Sequence, residues 1–365
     1  MAINLYITST QSFSGKSAVC VTLMYRMLKD GYRVGYLKPF SSAARVLAES
    51  SVDEDARFIK ETFHLTEPLN ILAPVVVTSR RIRRIFSEGG ADYRQAVKTA
   101  AETIGQDKDI VVIEGSDNFR EGYIVNLSIN EVADLVDAKV ITVIGYQNSL
   151  QVVDDILTAS IRLGKRLLGV IVNSVPAQRL DYIHEYVIPY VQKQGVTMLA
   201  ALPYQQVLHS ISIGEIRQYL DAETICCDSA DELVENLTIA AMNVEQALNF
   251  FRQVPNKAVI AGGDRPDIQL AALETSTKIL ILTGNMRPNP MIETRAKERG
   301  VAIILSHHDT LTTVEKIEQF FGKTHFHQTE KVVRFEHLLN NTLDFEELYQ
   351  LIGLPKSERL VAAKN

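Results

Sequence analysis

The sequence predicts an α/β protein: a doubly wound, mostly parallel sheet with helices on both faces, followed by a smaller α/β domain. Short apolar segments alternate with helical segments up to about residue 205, and a second, shorter alternation follows residue 254. Hydrophobic residues make up 46% of the 365 positions, which is ample for a packed core. Strands that alternate with helices imply right-handed crossovers and a parallel sheet.

The elements of the first domain follow one another in a regular order. "INLYITS" (3–9) is typical of a buried strand, and the helical segment after Ser17 ends at Gly31. A helix is predicted at "DEDARFIKETF" (53–63). Further strands are predicted at "YRVGYLKP", "DIVVIEG", "KVITVIGY", "LLGVIVN" and "VTMLAALP".

The junction between the domains is predicted to be helical. Residues 213–252, including most of "DELVENLTIAAMNVEQALNFFRQ", have the composition of a closing and connecting helix. We therefore place the first domain at 1–250, the second at 251–350 and a C-terminal tail at 351–365, with the last residues frayed.

Charge and cysteine content narrow the function classes. A net charge of −6 argues against general nucleic-acid or membrane-surface binding. The three cysteines have no metal-ligand spacing and indicate reduced thiols in a cytosol. No signal peptide is predicted, and no apolar run reaches the roughly 18 residues that span a bilayer. The expected location is the cytoplasm.

The segment "STQSFSGKS" (9–17) has the strand–loop–helix context of a phosphate-binding loop. Backbone N–H groups and the helix N-terminus attract an anion, and Gly15 lets the backbone approach it closely. Lys16 would reach the β- and γ-phosphates, and the Ser17 hydroxyl would bind Mg²⁺. The remaining candidate loop residues for the nucleotide are Thr10, Ser12 and Ser14. The alternative interpretation is that Lys16 is a solvated charge at the start of a helix.

This loop resembles that of the dethiobiotin synthetases, "GTDTxVGKT". The family has a threonine where Thr10 stands, so the missing opening glycine is normal for it. The glycine one place earlier is Ser9 here, a departure whose Cβ is expected to crowd the loop.

The resemblance continues along the chain and implies further site residues. "GYRVGYLKP" implies that Lys38 lies near the transferred phosphate, with Ser42 just after that turn. "DEDARFI" and "VVIEG" imply that Asp55 and Glu114 hold Mg²⁺ together with Ser17. "GVIVN" implies that Asn173 contacts the base, and "LPY" implies that Pro203 borders the adenine. Taken singly, Asp55 also fits a helix N-cap and Asn173 a turn residue. Lys16 and Lys38 would be the catalytic lysines.

The segment after Glu114 departs from the family. Where dethiobiotin synthetases have a glycine-rich loop, this chain has "EGSDNFREGY". A diamino-acid substrate would therefore meet bulky and charged side chains in place of small ones, namely those of Asp117, Asn118, Phe119 and Arg120. Retained nucleotide binding is therefore favoured over biotin-type ligation.

The second domain resembles the DRTGG domain over roughly residues 250–345, from "AVIAGGDRPDIQLAALE" onward. Its Gly262-Gly263-Asp264-Arg265 turn would hold a phosphate or ribose, or would be a tight turn with an Asp N-cap before Pro266. The order of the two modules resembles the N-terminal half of the long phosphotransacetylases. Because the chain ends before their acetyl-transfer domain would begin, acetyl transfer is not expected.

Three hypotheses follow. The first is a nucleotide-sensing regulatory protein that binds ATP and Mg²⁺, with a second small ligand at the DRTGG domain and an unidentified protein partner. The second is an ATP-dependent ligase that acts through an acyl phosphate. The third is a remnant without nucleotide, its loop spoiled by Ser9 and Ser14. The resemblance implies a homodimer.

A cluster of arginines lies in "SRRIRR" (79–84). These arginines could bind phosphates or an acidic partner. The alternative is that they are solvated charges at the start of a helix.

Overall fold

The computed structural model describes residues 2–42, 45–47, 50–89, 92–321 and 329–355. Contacts within the chain divide it into two compact units. The first contains the residues up to Tyr204 and the last two helices, and the second begins at Gln205.

The first unit is built on a six-stranded parallel sheet. Its strands are β1 Ile3–Ser9, β2 Val34–Leu37, β7 Ile110–Glu114, β8 Lys139–Gly145, β9 Leu167–Val175 and β10 Met198–Pro203. They lie in the order β10-β9-β8-β1-β7-β2, and all five pairings are parallel, as the alternation predicts. The short strands β3 Phe40–Ser41 and β6 Val75–Val76 pair with each other, as do β4 Arg45–Leu47 and β5 Ser50–Val52.

Helices connect these strands. They are α1 Lys16–Lys29, α2 Glu54–Thr62, α3 Leu69–Leu72, α4 Ser79–Glu88, α5 Arg94–Ile104, α6 Ile129–Leu135, α7 Ser149–Leu163, α8 Ala177–Tyr182 and α9 Ile188–Lys193, with one π-turn, Ile183–Val187, between the last two. The central strands are buried on both faces; in β7, for example, every residue is buried.

The chain returns to the first unit at its C-terminal end with α15 Thr329–Thr342 and α16 Phe345–Ile352. The Tyr349 hydroxyl donates to Asp30 Oδ2 at 2.7 Å, and the rings of Tyr349 and Tyr32 meet edge-on at 5.2 Å. The predicted tail thus begins inside a packed helix, and residues 356–365 lie outside the described residues.

The second unit contains the strands β11 Ile211–Ser212, β12 Glu223–Cys226, β13 Leu233–Val234, β14 Asn236–Ile239, β15 Lys257–Gly262, β16 Thr277–Thr283 and β17 Ala302–Leu305. Five of them form a sheet with the order β12-β17-β16-β15-β14, in which only β12 is antiparallel, and β11 pairs with β13. Its helices are α10 Ile213–Leu220, α11 Val244–Gln253, α12 Pro266–Leu273, α13 Pro290–Arg299 and α14 Thr310–Phe321.

The prediction that residues 213–252 are helical is wrong between 221 and 243. Asp221, in the left-handed conformation with φ 49°, ends α10, and three strands precede α11. Pairing with β15 holds β14 in the sheet, with Asn236 opposite Lys257. This tertiary pairing overrides a composition that suits a helix. The sequence placed the start of the second domain at 251, and contacts within the chain place the start of the second unit at Gln205.

No helix among the described residues is both long and apolar enough to cross a membrane.

Candidate functional site

The loop between β1 and α1 lies at the carboxyl end of the parallel sheet. Gly15 adopts φ +90°, and a Cβ there would lie 2.2 Å from Asn173 Nδ2. That amide donates to the Ser14 carbonyl at 2.9 Å, so Asn173 supports the loop from β9. Glycine is therefore needed for both the backbone conformation and the close packing.

Ser9 does not crowd the loop. Its hydroxyl donates to the Gln11 carbonyl at 2.6 Å and accepts from the Gln11 N–H at 3.2 Å. The Gln11 side chain in turn donates to the Gly145 carbonyl at the end of β8, at 2.7 Å. The departure from the family glycine thus braces the loop, a role that sequence reasoning missed.

Two loop hydroxyls are buried without a partner. Thr10 Oγ1 and Ser14 Oγ have no hydrogen bond within the described part of the chain, whereas Ser12 is half-buried. An unsatisfied buried hydroxyl costs about 1–3 kcal/mol, so each favours a ligand or water that completes it.

Lys16 and Ser17, the first residues of α1, both contact Glu114 at the end of β7. Lys16 Nζ lies 3.1 Å from Glu114 Oε1, and the Ser17 hydroxyl donates to the same oxygen at 2.6 Å. The Tyr36 hydroxyl donates to Oε2 at 2.7 Å. Tyr36 was not predicted; it lies in the buried strand β2 opposite Val112, and nothing in the sequence pattern singled it out.

The ionised form of this cluster is favoured despite its burial. Burial raises the pKa of Glu114, but Lys16, Lys38 and the Ser17 hydroxyl outweigh it, and the net pKa is lowered. Burial likewise lowers the pKa of Lys16, yet Glu114 raises it above the usual value. Lys16 is thus a charged ammonium held by a carboxylate.

Lys38 joins a second pair of acids at the start of α2. Its ammonium lies 2.5 Å from Asp55 Oδ2 and 3.0 Å from Asp53 Oδ2. Burial opposes the charge, but Asp55 and Asp53 together raise the pKa of Lys38 well above its usual value. Asp53, and not Asp55, caps the helix, accepting from the Ala56 N–H at 2.8 Å and from the Ser41 hydroxyl at 2.5 Å. Asp53 was missed by sequence reasoning.

The charges of this cluster would suit a metal cation that binds together with an anionic group such as phosphate. Two ammonium groups, Lys16 and Lys38, face three carboxylates, Glu114, Asp53 and Asp55. Within the described ranges, no three acidic, histidine or cysteine side chains converge tightly enough to hold a metal by themselves. Mg²⁺ here would need phosphate oxygens among its ligands, which is how proteins commonly hold it.

The other predicted residues lie at the same edge of the sheet. Ser42 donates weakly to Glu121 Oε2 at 3.4 Å. Pro203 ends β10, three strands from β1, and is half-buried. The structure thus groups Asn173 with the loop, and it places Ser42 and Pro203 at the rim.

The loop after Glu114 is organised by Glu121. This half-buried carboxylate accepts from the Asn118 amide at 3.2 Å, and burial and Asp117 raise its pKa. Phe119 does not form a substrate wall, because it is buried beneath the Arg162 guanidinium, 5.8 Å from the ring centre. Phe119 is therefore not part of the predicted wall.

A parallel α/β sheet whose first strand leads through a Gly-Lys-Ser turn into a helix defines a P-loop domain. Residues 4–212 match the family described as an AAA domain, and the chain belongs to that family. Residues 215–320 match the DRTGG domain.

The chain is similar to curated phosphate acetyltransferases and dethiobiotin synthetases. The phosphate acetyltransferase of Nitratidesulfovibrio vulgaris is 24% identical over 383 residues, covering 99% of this chain and 53% of the relative. That of Synechocystis is 24% identical over 315 residues, covering 80% and 43%. The ATP-dependent dethiobiotin synthetase of Caldicellulosiruptor saccharolyticus is 26% identical over 113 residues, covering 30% and 46%. The chain spans about half the length of the relatives it matches.

Solved structures with a partial likeness include two with nucleotides. The CBS and DRTGG domains of Clostridium perfringens pyrophosphatase, complexed with diadenosine tetraphosphate, align with a TM-score of 0.29 at 19% identity, covering 40% of this chain and 71% of that one. MinD of Pyrococcus horikoshii with Mg-ADP aligns with a TM-score of 0.34 at 17% identity, covering 57% and 84%.

The turn Gly262-Gly263-Asp264-Arg265 in the second unit differs from the expected cap. Arg265 occupies the N-cap position of α12 and makes no side-chain cap bond, so the predicted Asp cap is wrong. Pro266 does begin the helix, as expected. A Cβ on Gly263 would lie 2.2 Å from the Met286 carbonyl, which explains this glycine by packing.

Proposed function

We propose that the first unit binds ATP with Mg²⁺ and that the chain is a nucleotide-sensing regulatory protein, related to the N-terminal region of phosphotransacetylases. The observation that carries this proposal is the meeting of Lys16, Ser17 and Glu114 beside the left-handed Gly15. These groups supply an ammonium for the phosphates, and a hydroxyl and a carboxylate for Mg²⁺. The unpartnered hydroxyls of Thr10 and Ser14 support a ligand in the loop.

The sensing role is supported by the contact between Lys16 and Glu114. A triphosphate bound in the loop would compete with that carboxylate for the Lys16 ammonium. Mg²⁺ would then replace Lys16 as the cation beside Glu114. Glu114 ends β7 and leads directly into the loop organised by Glu121, so occupancy would change the electrostatic environment of that loop.

The second candidate is an ATP-dependent ligase, favoured by Lys38 and by the relatives named dethiobiotin synthetase. A carboxylate or carbamate oxygen would attack the γ-phosphorus, ADP would leave, and an amine would displace phosphate from the acyl phosphate. Lys16 and Lys38 would offset the charge on the transferred phosphoryl group.

Titration calorimetry with ATP, with and without Mg²⁺, combined with phosphate release, separates these candidates. The regulatory proposal predicts Mg²⁺-dependent heat, little phosphate release, and a change in oligomeric state or in the unfolding transition. Phosphate release stimulated by an added amino-carboxylate would favour the ligase. No heat from the folded protein would leave the remnant hypothesis.

The remaining parts of the proposal concern assembly and the second unit. We propose a homodimer, an as yet unidentified protein partner, and a second small ligand at the DRTGG domain. Sedimentation of the full chain with and without MgATP tests the dimer, because a monomer under both conditions contradicts it.

A further inference from the structure

Helix α4 presents four arginines to an open cavity of about 1150 Å³ in the first unit. The cavity is lined by Arg80, Arg81, Arg83 and Arg84 on one side and by α2, α3 and the segment before α4 on the other. Its volume exceeds what a single phosphate ion needs. The chain as a whole has a net charge of −6, so a concave surface this rich in arginine favours an anionic ligand.

The positive charge in the cavity is only partly compensated by the protein. Arg84 pairs with Glu88 at 2.6 Å, and Arg81 donates to the Val76 carbonyl at 2.7 Å. Neither Arg80 nor Arg83 has a hydrogen-bond or ion-pair partner among the residues that the structure describes. Asp53, the other acid in the lining, is already held by Lys38 at 3.0 Å. Two guanidinium groups are thus left for a ligand.

This arrangement disfavours the helix in the absence of an anion. Arg80 and Arg83 are three residues apart, as are Arg81 and Arg84, so like charges are neighbours on the helix surface. The first turn of α4 contains no acidic residue, and cations near a helix N-terminus oppose the dipole. A bound anion would relieve both effects.

We propose that this cavity binds a small polyanion carrying two or more phosphate or carboxylate groups, with Arg80 and Arg83 as its principal contacts. Guanidinium forks match both kinds of anion through paired N–H donors. The site does not use Lys16 and does not depend on the proposed nucleotide. Asp53 lines the cavity and contacts Lys38. A bound anion would therefore lie beside the candidate nucleotide site, and Asp53 would link it electrostatically to Lys38.

The test is titration calorimetry of the full chain at constant ionic strength without Mg²⁺, with pyrophosphate as the phosphate probe and citrate as the carboxylate probe. We expect wild-type protein to bind at least one probe. The R80Q/R83Q double variant should bind it at least about tenfold more weakly. The matched control R179Q/R252Q removes two exposed arginines elsewhere and should bind like wild type.

Lys16→Ala separates this site from the phosphate loop. Retained binding in Lys16→Ala, with loss in R80Q/R83Q, supports the cavity. Loss in Lys16→Ala with retention in R80Q/R83Q would place the anion at the loop and overturn the proposal, leaving the nucleotide site standing. No heat with either probe, or equal loss in the control, also overturns it. Both arginines are exposed, so R80Q/R83Q is expected to fold, which a thermal unfolding curve checks.

Discussion

The carboxyl edges of the two sheets carry opposite kinds of side chain. In the first unit, Lys16, Glu114 and Lys38 are buried and charged. In the second, β15 and β16 end at Gly262 and Thr283, and neutral hydroxyls pair with one another: Thr283 with Thr310 at 2.7 Å, and Ser306 with Thr313 at 3.1 Å. Buried charge is costly unless it is paired, whereas hydroxyl pairs are not. In the first unit the buried charges are paired with one another, and this edge is where we propose that the nucleotide binds.

The largest expected effect comes from Gly15→Ala at the charged edge. The new Cβ would strain a left-handed residue and displace the Asn173 amide from the Ser14 carbonyl. We expect a loss of about 4 kcal/mol of unfolding free energy. MgATP affinity should fall roughly a hundredfold, about 2.7 kcal/mol. Chemical denaturation measures the unfolding free energy, and calorimetry measures the MgATP affinity.

Gly195→Ala is the matched control for this change. Gly195 has φ +81°, but a Cβ there meets nothing within 4 Å. It should cost only about 1 kcal/mol and leave nucleotide binding intact. Equal losses in both variants would show that strain, and not packing around the loop, decides the effect.

The next effect is expected from Glu114→Gln, which leaves Lys16 buried beside a neutral group. We expect about 3 kcal/mol of destabilisation at neutral pH. Because the folded pKa of Glu114 is lowered, its contribution is complete above the unfolded pKa and is lost as pH falls through the folded pKa. The difference between wild type and Glu114→Gln should therefore shrink in acid, as urea unfolding at several pH values can measure.

Glu88→Gln serves as the exposed control, since its ion pair with Arg84 is open to solvent. We expect less than about 0.5 kcal/mol from it at any pH. A Glu114→Gln variant as stable as this control would mean that the buried pair contributes nothing.

A smaller effect is expected from Lys257, the buried charge of the second unit. Its ammonium donates to the Ser276 carbonyl at 3.0 Å and has no carboxylate partner among the described residues, and burial lowers its pKa to about 8. A lysine with a lowered folded pKa destabilises the fold below that pKa, and stability rises as pH rises from 8 towards 10.5. Relative to Lys257→Met, wild type should gain about 2 kcal/mol over this range. Lys297→Met, which removes an exposed lysine, should show no such gain.

The smallest effect is expected from Ser9→Gly, which restores the glycine of the dethiobiotin synthetases. It removes the two hydrogen bonds to Gln11 and should cost about 1 kcal/mol, with MgATP affinity changed by roughly threefold or less. Much tighter binding after Ser9→Gly would revive the view that the serine damages the loop. Thr8→Ala, which removes a buried hydroxyl from the same strand, is the control.

The sequence predicted the parallel sheet well because its strands are short, apolar and buried on both faces. It failed between 221 and 243, where β12, β13 and β14 are held by pairing with distant strands. At the candidate site, the Gly-Lys-Ser pattern predicted Gly15, Lys16 and Ser17, and the structure brings Lys16 and Ser17 together with Glu114. Asp53 and Tyr36 were missed because their roles depend on how Lys38 and Glu114 are surrounded in space.

The most direct test of the account is the heat of MgATP binding to Lys16→Ala compared with Lys29→Ala. Lys29 lies on the same helix, but its side chain is exposed. Lys16→Ala should bind MgATP at least roughly a hundredfold more weakly than wild type, while Lys29→Ala should bind it normally. Equal affinity of the two folded variants for MgATP would contradict a phosphate-binding role for Lys16.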